Sequence, residues 1–263
     1  MRNALFAFIA LLLLPAPSPA ASIHILSGLA EDIRALPGDT HQGTIIVQNI
    51  SDEPVEVIAY QKDYRFSSDG SNEYGDPGTS PRSNSGWVSF SPRQFTLPVK
   101  ATQSIAWTVN VPERADLRGT YWSMIMVEPV STKFAPPMPQ GVSITSVLRY
   151  GIQIATTIGN DAETGLTFTQ LNAEASGDRM DVLLDVQNEG EVLLVPTVWV
   201  EIFDQAGRSL GRFPGERKRI YPACSVRYRI GIPGLSAGRY TALMVADNGD
   251  DHVYGAQLLL DVE

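Results

Sequence analysis

Apolar and polar residues alternate with a period of two along most of this chain, and two of the alternating segments occur twice. Residues 43–49 (GTIIVQN) are echoed by residues 182–188 (VLLDVQN), and residues 119–127 (GTYWSMIMV) by residues 238–245 (GRYTALMV). The first echo is offset by 139 residues and the second by 119, so the first copy holds about twenty additional residues between the two landmarks. Because strict alternation is typical of half-buried β-strands, the pattern predicts two copies of one β-fold, the first with an insertion.

Short alternating segments separated by Gly, Pro, Asn and Asp continue through both copies, and none of them has the periodicity of a long amphipathic helix. In the first copy the predicted strands cover residues 23–26, 33–36, 43–48, 55–65, 87–89, 95–97, 104–111, 120–128 and 142–157. In the second copy they cover residues 166–173, 179–187, 195–203, 209–213, 217–220, 226–232, 240–246 and 252–262. About seven short strands per hundred residues are typical of antiparallel immunoglobulin-type sandwiches. We therefore predict an all-β fold class with two immunoglobulin-like β-sandwich domains in tandem.

The first twenty residues have the pattern of a secretory signal peptide. Arg2 supplies a positive charge, residues 4–14 form an apolar core, and Ser18-Pro19-Ala20 is a cleavage site of small residues. The apolar run is shorter than the roughly 18–20 residues that a membrane span needs. We therefore expect a cleaved signal, no stable membrane insertion and a periplasmic location.

The repeat offsets and the turn signals together place the domain boundaries. We predict a signal peptide over residues 1–20, an N-terminal immunoglobulin-like domain over residues 21–159 and a C-terminal one over residues 160–263. Residues 67–86 are polar and rich in turn-forming residues. They account for the additional length of the first copy, so we interpret them as a loop insertion in the N-terminal domain.

Composition and candidate chemistry narrow the function classes. The formal net charge of −9 argues against nucleic acid or an anionic membrane surface as a partner. Cys224 is the only cysteine, so no disulfide forms within the chain, and we predict it to be a small core residue in a strand. His24, His41 and His252 lack metal-ligand spacing, and no catalytic motif occurs. We predict no catalytic residue, no metal and no cofactor, with an enzyme as the least favoured alternative.

Two carboxylates of the second copy are candidates for a catalytic pair because they lie at even spacing in one predicted strand. Asp181 and Asp185 are four residues apart, which places both on the same face of that strand. Carboxylates in this arrangement are typical of a solvated face. We therefore interpret the pair as surface residues and not as a catalytic dyad.

The predicted strand over residues 142–157 is far longer than the usual strand of about five or six residues. A strand of this length extends beyond its partners and leaves an edge that invites pairing with another chain. The alternative interpretation is that it simply continues the core of the sandwich. The candidate partner-binding residues are Val142, Ile144, Ser146, Leu148, Arg149, Tyr150, Ile152 and Gln153, together with Arg34.

These features together resemble the periplasmic pilus-assembly chaperones of the PapD type. Residues 33–38 (IRALPG), the strand that ends in residues 47–49 (VQN) and residues 120–124 (TYWSM) are similar to three strands of that family. Residues 142–154 are similar to its donor strand. The resemblance implies that Arg34 holds the C-terminal carboxylate of a pilus subunit. The family's second cation, a lysine, falls at Gln153, so this chain departs from the pattern there.

The resemblance implies a periplasmic chaperone or chaperone-like factor that binds surface-structure subunits by β-strand donation. The implied partners are pilin-like or other secreted protein subunits and an outer-membrane usher. The alternative from a different class is a non-catalytic binding module that recognises a surface protein or polymer through residues 67–86, near which Tyr64, Phe66, Tyr74 and Trp87 are found. Adjacent pilin-like and usher genes would favour the chaperone.

Overall fold

The structure is a computed structural model that describes residues 22–130, 148–177, 179–249 and 252–262. All of its regular elements are strands. The first ten are β1 (Ile23–Ile25), β2 (Ala30–Ala35), β3 (Thr40–Asn49), β4 (Val55–Phe66), β5 (Asn72–Gly75), β6 (Val88–Ser91), β7 (Gln94–Leu97), β8 (Thr102–Asn110), β9 (Gly119–Pro129) and β10 (Tyr150–Ile158). The next seven are β11 (Leu166–Ser176), β12 (Arg179–Asn188), β13 (Thr197–Phe203), β14 (Ser209–Pro214), β15 (Ser225–Pro233), β16 (Gly238–Asp247) and β17 (Val253–Val262).

Four sheets form two sandwiches, which confirms the predicted fold class. In the first sandwich, the sheet β1-β3-β8-β6 faces the sheet β2-β10-β9-β4-β5, in which β7 also pairs with β4. In the second, the sheet β11-β12-β15 faces the sheet β14-β13-β16-β17. Each sandwich encloses its own apolar core. Alternate residues of each strand fill these cores, which is why the period of two identified the strands.

The repeated Val-Gln-Asn segments end in two asparagines that have the same role in the two sandwiches. Both side chains are fully buried. The Asn49 amide donates to the carbonyl of Glu53 at 2.7 Å, and its oxygen accepts from the backbone N–H of Ser51 at 2.8 Å. The Asn188 amide donates to the carbonyl of Val192 at 2.7 Å, and its oxygen accepts from the N–H of Gly190 at 2.9 Å. The same i+2 and i+4 partners show that the sequence repeat is a structural repeat.

Three details differ from the strand prediction. Residues 217–220 were expected to form a strand, but the only pairing there is an isolated bridge between Ile220 and Leu194. The short strand β5 lies inside the predicted loop insertion and pairs with the end of β4. The strand that was expected to begin at residue 142 begins at Tyr150 within the described chain, since Leu148 and Arg149 are outside it.

The second half of the insertion is built into the first sandwich. Asn84 is fully buried and donates to the carbonyl of Ile154 at 3.0 Å and to the hydroxyl of Thr156 at 3.2 Å. The buried carboxylate of Asp63 accepts from the backbone N–H of Ser80 at 2.7 Å. Most residues from 69 to 79 are exposed. Residues 69–79 are therefore the part of the insertion that forms an exposed surface loop.

The interpretation of Asp181 and Asp185 as a solvated face was wrong. Both side chains are buried, with exposed fractions of 1% and 5%. Arginines of the neighbouring strand cover them: Arg229 contacts Asp181 at 2.8 Å, and Arg227 contacts Asp185 at 2.6 Å. Hydrogen bonds from these guanidinium groups lower the pKa of both carboxyls. The carboxylates therefore belong to a structural ladder of ion pairs on the β12–β15 face.

Candidate functional site

Aromatic side chains join the two sandwiches. Trp122 on β9 and Ala155 on β10 point away from the first core, and they pack against Tyr221 and Cys224 of the second sandwich. The rings of Trp122 and Tyr221 are stacked, with centroids 4.7 Å apart and planes 16° from parallel. Cys224 is buried there, immediately before β15 and not within a strand, and burial raises the pKa of its thiol. The two sandwiches thus meet through a small apolar contact.

A polar cluster lies beside this contact, and Arg219 of the second sandwich is its centre. Its two terminal nitrogens donate to the two carboxylate oxygens of Asp32 on β2, the longer contact being 2.6 Å. Its Nε donates to Gln153 Oε1 at 3.2 Å, and the Tyr221 hydroxyl donates to the same oxygen at 2.7 Å. Although burial opposes the charge, the hydrogen bonds to Asp32 raise the pKa of Arg219. Burial raises the pKa of Tyr221 to about 12, so its hydroxyl stays protonated.

The Arg34 side chain is exposed and lies on the junction side of its sheet. Ile33 and Ala35 are buried in the first core, so Asp32 and Arg34 project from the opposite face. In the parallel pairing of β2 with β10, Arg34 lies opposite Thr157, and Ala30 lies opposite Gln153. Within the part of the chain that the structure describes, Arg34 has no ion pair or hydrogen bond.

Gln153 and Arg34 share this face but are not neighbours. The register separates them by four residues along the strands, or about 13 Å. Gln153 is also engaged by Arg219 and Tyr221. Two of the cluster residues, Asp32 and Arg219, were missed by sequence reasoning. They are 187 residues apart, and no local signal in the sequence connects them.

The start of β10 is an incomplete edge. Residues Tyr150 to Ile152 pair with β9 on one side, whereas β2 begins to pair only at Gln153 on the other side. Among the described residues, no strand covers this three-residue stretch. Leu148, just before it, is 48% exposed, and Leu29, whose carbonyl accepts from the backbone N–H of Gln153, is 49% exposed. Because the groups of Gln153 face β2 and directions alternate along a strand, the N–H and C=O of Gly151 face the uncovered side, between these two apolar side chains.

The other candidate partner-binding residues have different surroundings. Ile152 is fully buried, and its side chain belongs to the first core. Tyr150 packs partly on that core and donates its hydroxyl hydrogen to the carbonyl of Ile23 at 3.2 Å. Arg149 forms an ion pair with Glu128 at 2.6 Å. Val142, Ile144 and Ser146 lie outside the described residues.

The predicted insertion contacts the second sandwich. The backbone N–H of Ser68 donates to the hydroxyl of Ser225 at 2.9 Å, and Arg82 contacts Glu191 at 2.8 Å. Just before the segment, Phe66 at the end of β4 meets the ring of Tyr221 edge-on, with centroids 6.1 Å apart. These aromatic and polar groups therefore serve an intramolecular contact between the two sandwiches.

Within the described ranges, no group of three or more His, Cys, Asp or Glu side chains is placed to hold a metal ion. The same ranges contain no helix of the length and apolarity needed to cross a membrane.

Comparisons with known proteins return fimbrial chaperones. No protein-family model and no curated protein matches the sequence. A chaperone–tip adhesin complex of CFA/I fimbriae is similar with a TM-score of 0.46 and 16% identity, over 91% of this chain and 98% of that chain. The class 5 fimbriae chaperone CfaA gives a TM-score of 0.43 and 16% identity, over 92% and 99% of the two chains. A complex of the Salmonella enterica SafA pilin with the SafB chaperone gives 0.42 and 14%, over 92% and 99%.

This chain is similar to fimbrial chaperones. The sequence identity to each of these three chains is 16% or lower.

Proposed function

We propose that this protein is a periplasmic chaperone that captures pilus-type subunits by pairing one of its own strands with them. The single observation that supports this most is the one-sided pairing of β10 from Tyr150 to Ile152. Unpaired backbone N–H and C=O groups at a sheet edge are a template for another strand. A subunit segment laid along this edge would extend the sheet β2-β10-β9-β4-β5 by β-strand addition.

The side chains around the edge suit an extended apolar segment. Leu148 and Leu29 flank the free stretch and are about half exposed, so a bound segment would cover both. Burial of apolar surface contributes about 25 cal/mol per Å², and the main-chain hydrogen bonds would fix the register. Chaperoning by this route needs no chemical step and no cofactor.

An open cation further along the same face suits a terminal carboxylate. Arg34 projects toward the second sandwich without an internal partner among the described residues. A guanidinium can bind a carboxylate through two parallel hydrogen bonds, which adds orientation as well as energy. Arg34 is therefore proposed as a second anchor, for a captured segment whose C-terminus extends beyond Gln153.

The test is capture of a pilin-type subunit encoded beside the gene of this chain, measured with the purified proteins by calorimetry. Leu148→Asp should weaken binding at least about tenfold, since it places a charge where an apolar contact forms. The matched control is Leu259→Asp on β17, because Leu259 is 80% exposed and distant from the edge. Both variants should keep the wild-type melting temperature. Equal binding by the two variants, or a large loss of stability in Leu148→Asp, would contradict the proposal.

A further inference from the structure

The ion pair between Asp32 and Arg219 is held asymmetrically. Arg219 is 23% exposed and is fixed from the side by Gln153 and Tyr221. Asp32 is 57% exposed, and within the described chain its carboxylate has no hydrogen-bond partner other than Arg219. If Asp32 moved away, the guanidinium would keep its position and orientation. The Arg219 guanidinium is thus held in an orientation that can bind a carboxylate, whereas the Asp32 side chain can rotate away from it.

The unpaired edge of β10 leads to this guanidinium. β2 and an added strand would lie on the same side of β10, one after the other, because β2 begins to pair only at Gln153. An added strand that runs parallel to β10, as β2 does, would therefore have its C-terminal end near Gln153, whose side chain accepts a hydrogen bond from Arg219. Arg34, opposite Thr157, is about 13 Å further along. A carboxylate at the end of an added strand would meet Arg219 first.

We propose that Arg219 is the primary receptor for the C-terminal carboxylate of the captured segment, and that Asp32 is an internal carboxylate which occupies it until the segment displaces it. This inference rests on the proposed function. It identifies a cation that the second sandwich places beside Gln153. Gln153 then has a supporting role, since its Oε1 accepts a hydrogen bond from the Nε–H of Arg219 and so orients the guanidinium.

Exchange of one carboxylate for another keeps the partly buried guanidinium paired throughout. Leaving such a charge without a partner is costly, so Asp32 departs readily only when another anion takes its place. Because Asp32 is tethered beside Arg219, it competes as an intramolecular ligand with an effective concentration in the millimolar range or above. It would thereby lower the apparent affinity for the segment and assist its release.

The experiment uses the full chain as purified after export and a synthetic twelve-residue peptide of alternating valine and threonine, with a free carboxylate or a C-terminal amide. Dissociation constants are measured by calorimetry for the wild type, Asp32→Asn, Arg219→Gln and the double variant. Asp32→Asn should bind the acid peptide at least about tenfold more tightly, because the competing occupant is removed. Its affinity for the amide peptide should not change. In the double variant the preference for the acid peptide should disappear.

A matched control is Asp261→Asn, which breaks an exposed pair with Arg239 on the second sandwich and should leave both affinities unchanged. As a measurement that needs no variant, the Nε–H resonance of Arg219 in the wild type should shift with the acid peptide and not with the amide. If both peptides bind the wild type but Asp32→Asn binds the acid no better, Asp32 is a structural partner only and the inference is overturned, while strand addition stands. If no variant binds either peptide, strand addition fails and the inference fails with it.

Discussion

The asparagine that closes the repeated Val-Gln-Asn segment should be among the most sensitive positions of the second sandwich. Asn188 is fully buried and makes three hydrogen bonds: to the carbonyls of Val192 and Ile220, both at 2.7 Å, and from the N–H of Gly190 at 2.9 Å. A net value of about 1 kcal/mol per bond gives a loss of about 3 kcal/mol for Asn188→Ala, and buried groups left unpaired add to it. That is a large part of a typical folding free energy of about 5–15 kcal/mol.

The loss is measured by urea denaturation followed by circular dichroism. At a slope of about 2 kcal/mol per molar urea, a loss of about 3 kcal/mol lowers the midpoint by about 1.5 M. Asn188→Asp keeps the shape of the side chain but removes both donors, so it should be destabilising by at least as much as Asn188→Ala. This comparison separates the hydrogen bonds from the cavity.

The control for both variants is Asn172→Ala, at an exposed position of β11. It should shift the midpoint by less than about 0.3 M, since surface substitutions usually change stability by no more than about 0.5 kcal/mol. If Asn188→Asp were as stable as the control, the role assigned to the repeated asparagine would be refuted.

Two further predictions concern alkaline stability and the insertion. Burial raises the pKa of Tyr221 and Tyr228 to about 12, above the ordinary value of 10.0. Above pH 10 the folded state therefore retains phenolic protons that the unfolded state releases. The free energy of unfolding should keep its full value below pH 10 and fall between pH 10 and about 12. Tyr228→Phe should make this decline shallower in melting temperatures recorded against pH, and an unchanged decline would contradict the assignment. Replacing residues 69–79 by a short glycine-serine linker should preserve the fold, whereas Asn84→Ala should destabilise it by at least about 2 kcal/mol in urea titrations; the reverse order would show that the exposed part is the structural one.

The sequence predicted the two sandwiches because each strand must bury one face, and this requirement leaves a period of two along the chain. It also marked Asn49 and Asn188 as equivalent, since a local turn and its i+2 and i+4 contacts are encoded within a few residues. The burial of Asp185 was missed, although Arg227 and Arg229 alternate in a neighbouring predicted strand and offered a signal. Oppositely charged side chains at even spacing on two strands predict a ladder when those strands pair.

The candidate site was less predictable because it depends on how the two domains meet. The resemblance to pilus-assembly chaperones brought Arg34 and Gln153 into one expected clamp, and in the structure the two residues lie on the same face of β2 and β10. The distance between them follows from the parallel register of β2 and β10, which no local pattern specifies. The pairing of Asp32 with Arg219 needs the relative placement of both sandwiches. Such contacts arise from packing between domains and not from periodicity within one.

The stacking of Trp122 on Tyr221 has a consequence for how the chain unfolds. If either sandwich opened alone, the other would present a large aromatic ring to water, and the hydrogen bond from the Thr120 N–H to the Glu191 carbonyl, 2.7 Å long, would break. Unfolding of one sandwich alone therefore costs additional free energy, because it exposes an aromatic side chain of the other sandwich to water. The two sandwiches should melt in a single cooperative heat-absorption peak, and each half expressed alone should be prone to aggregate through its uncovered ring.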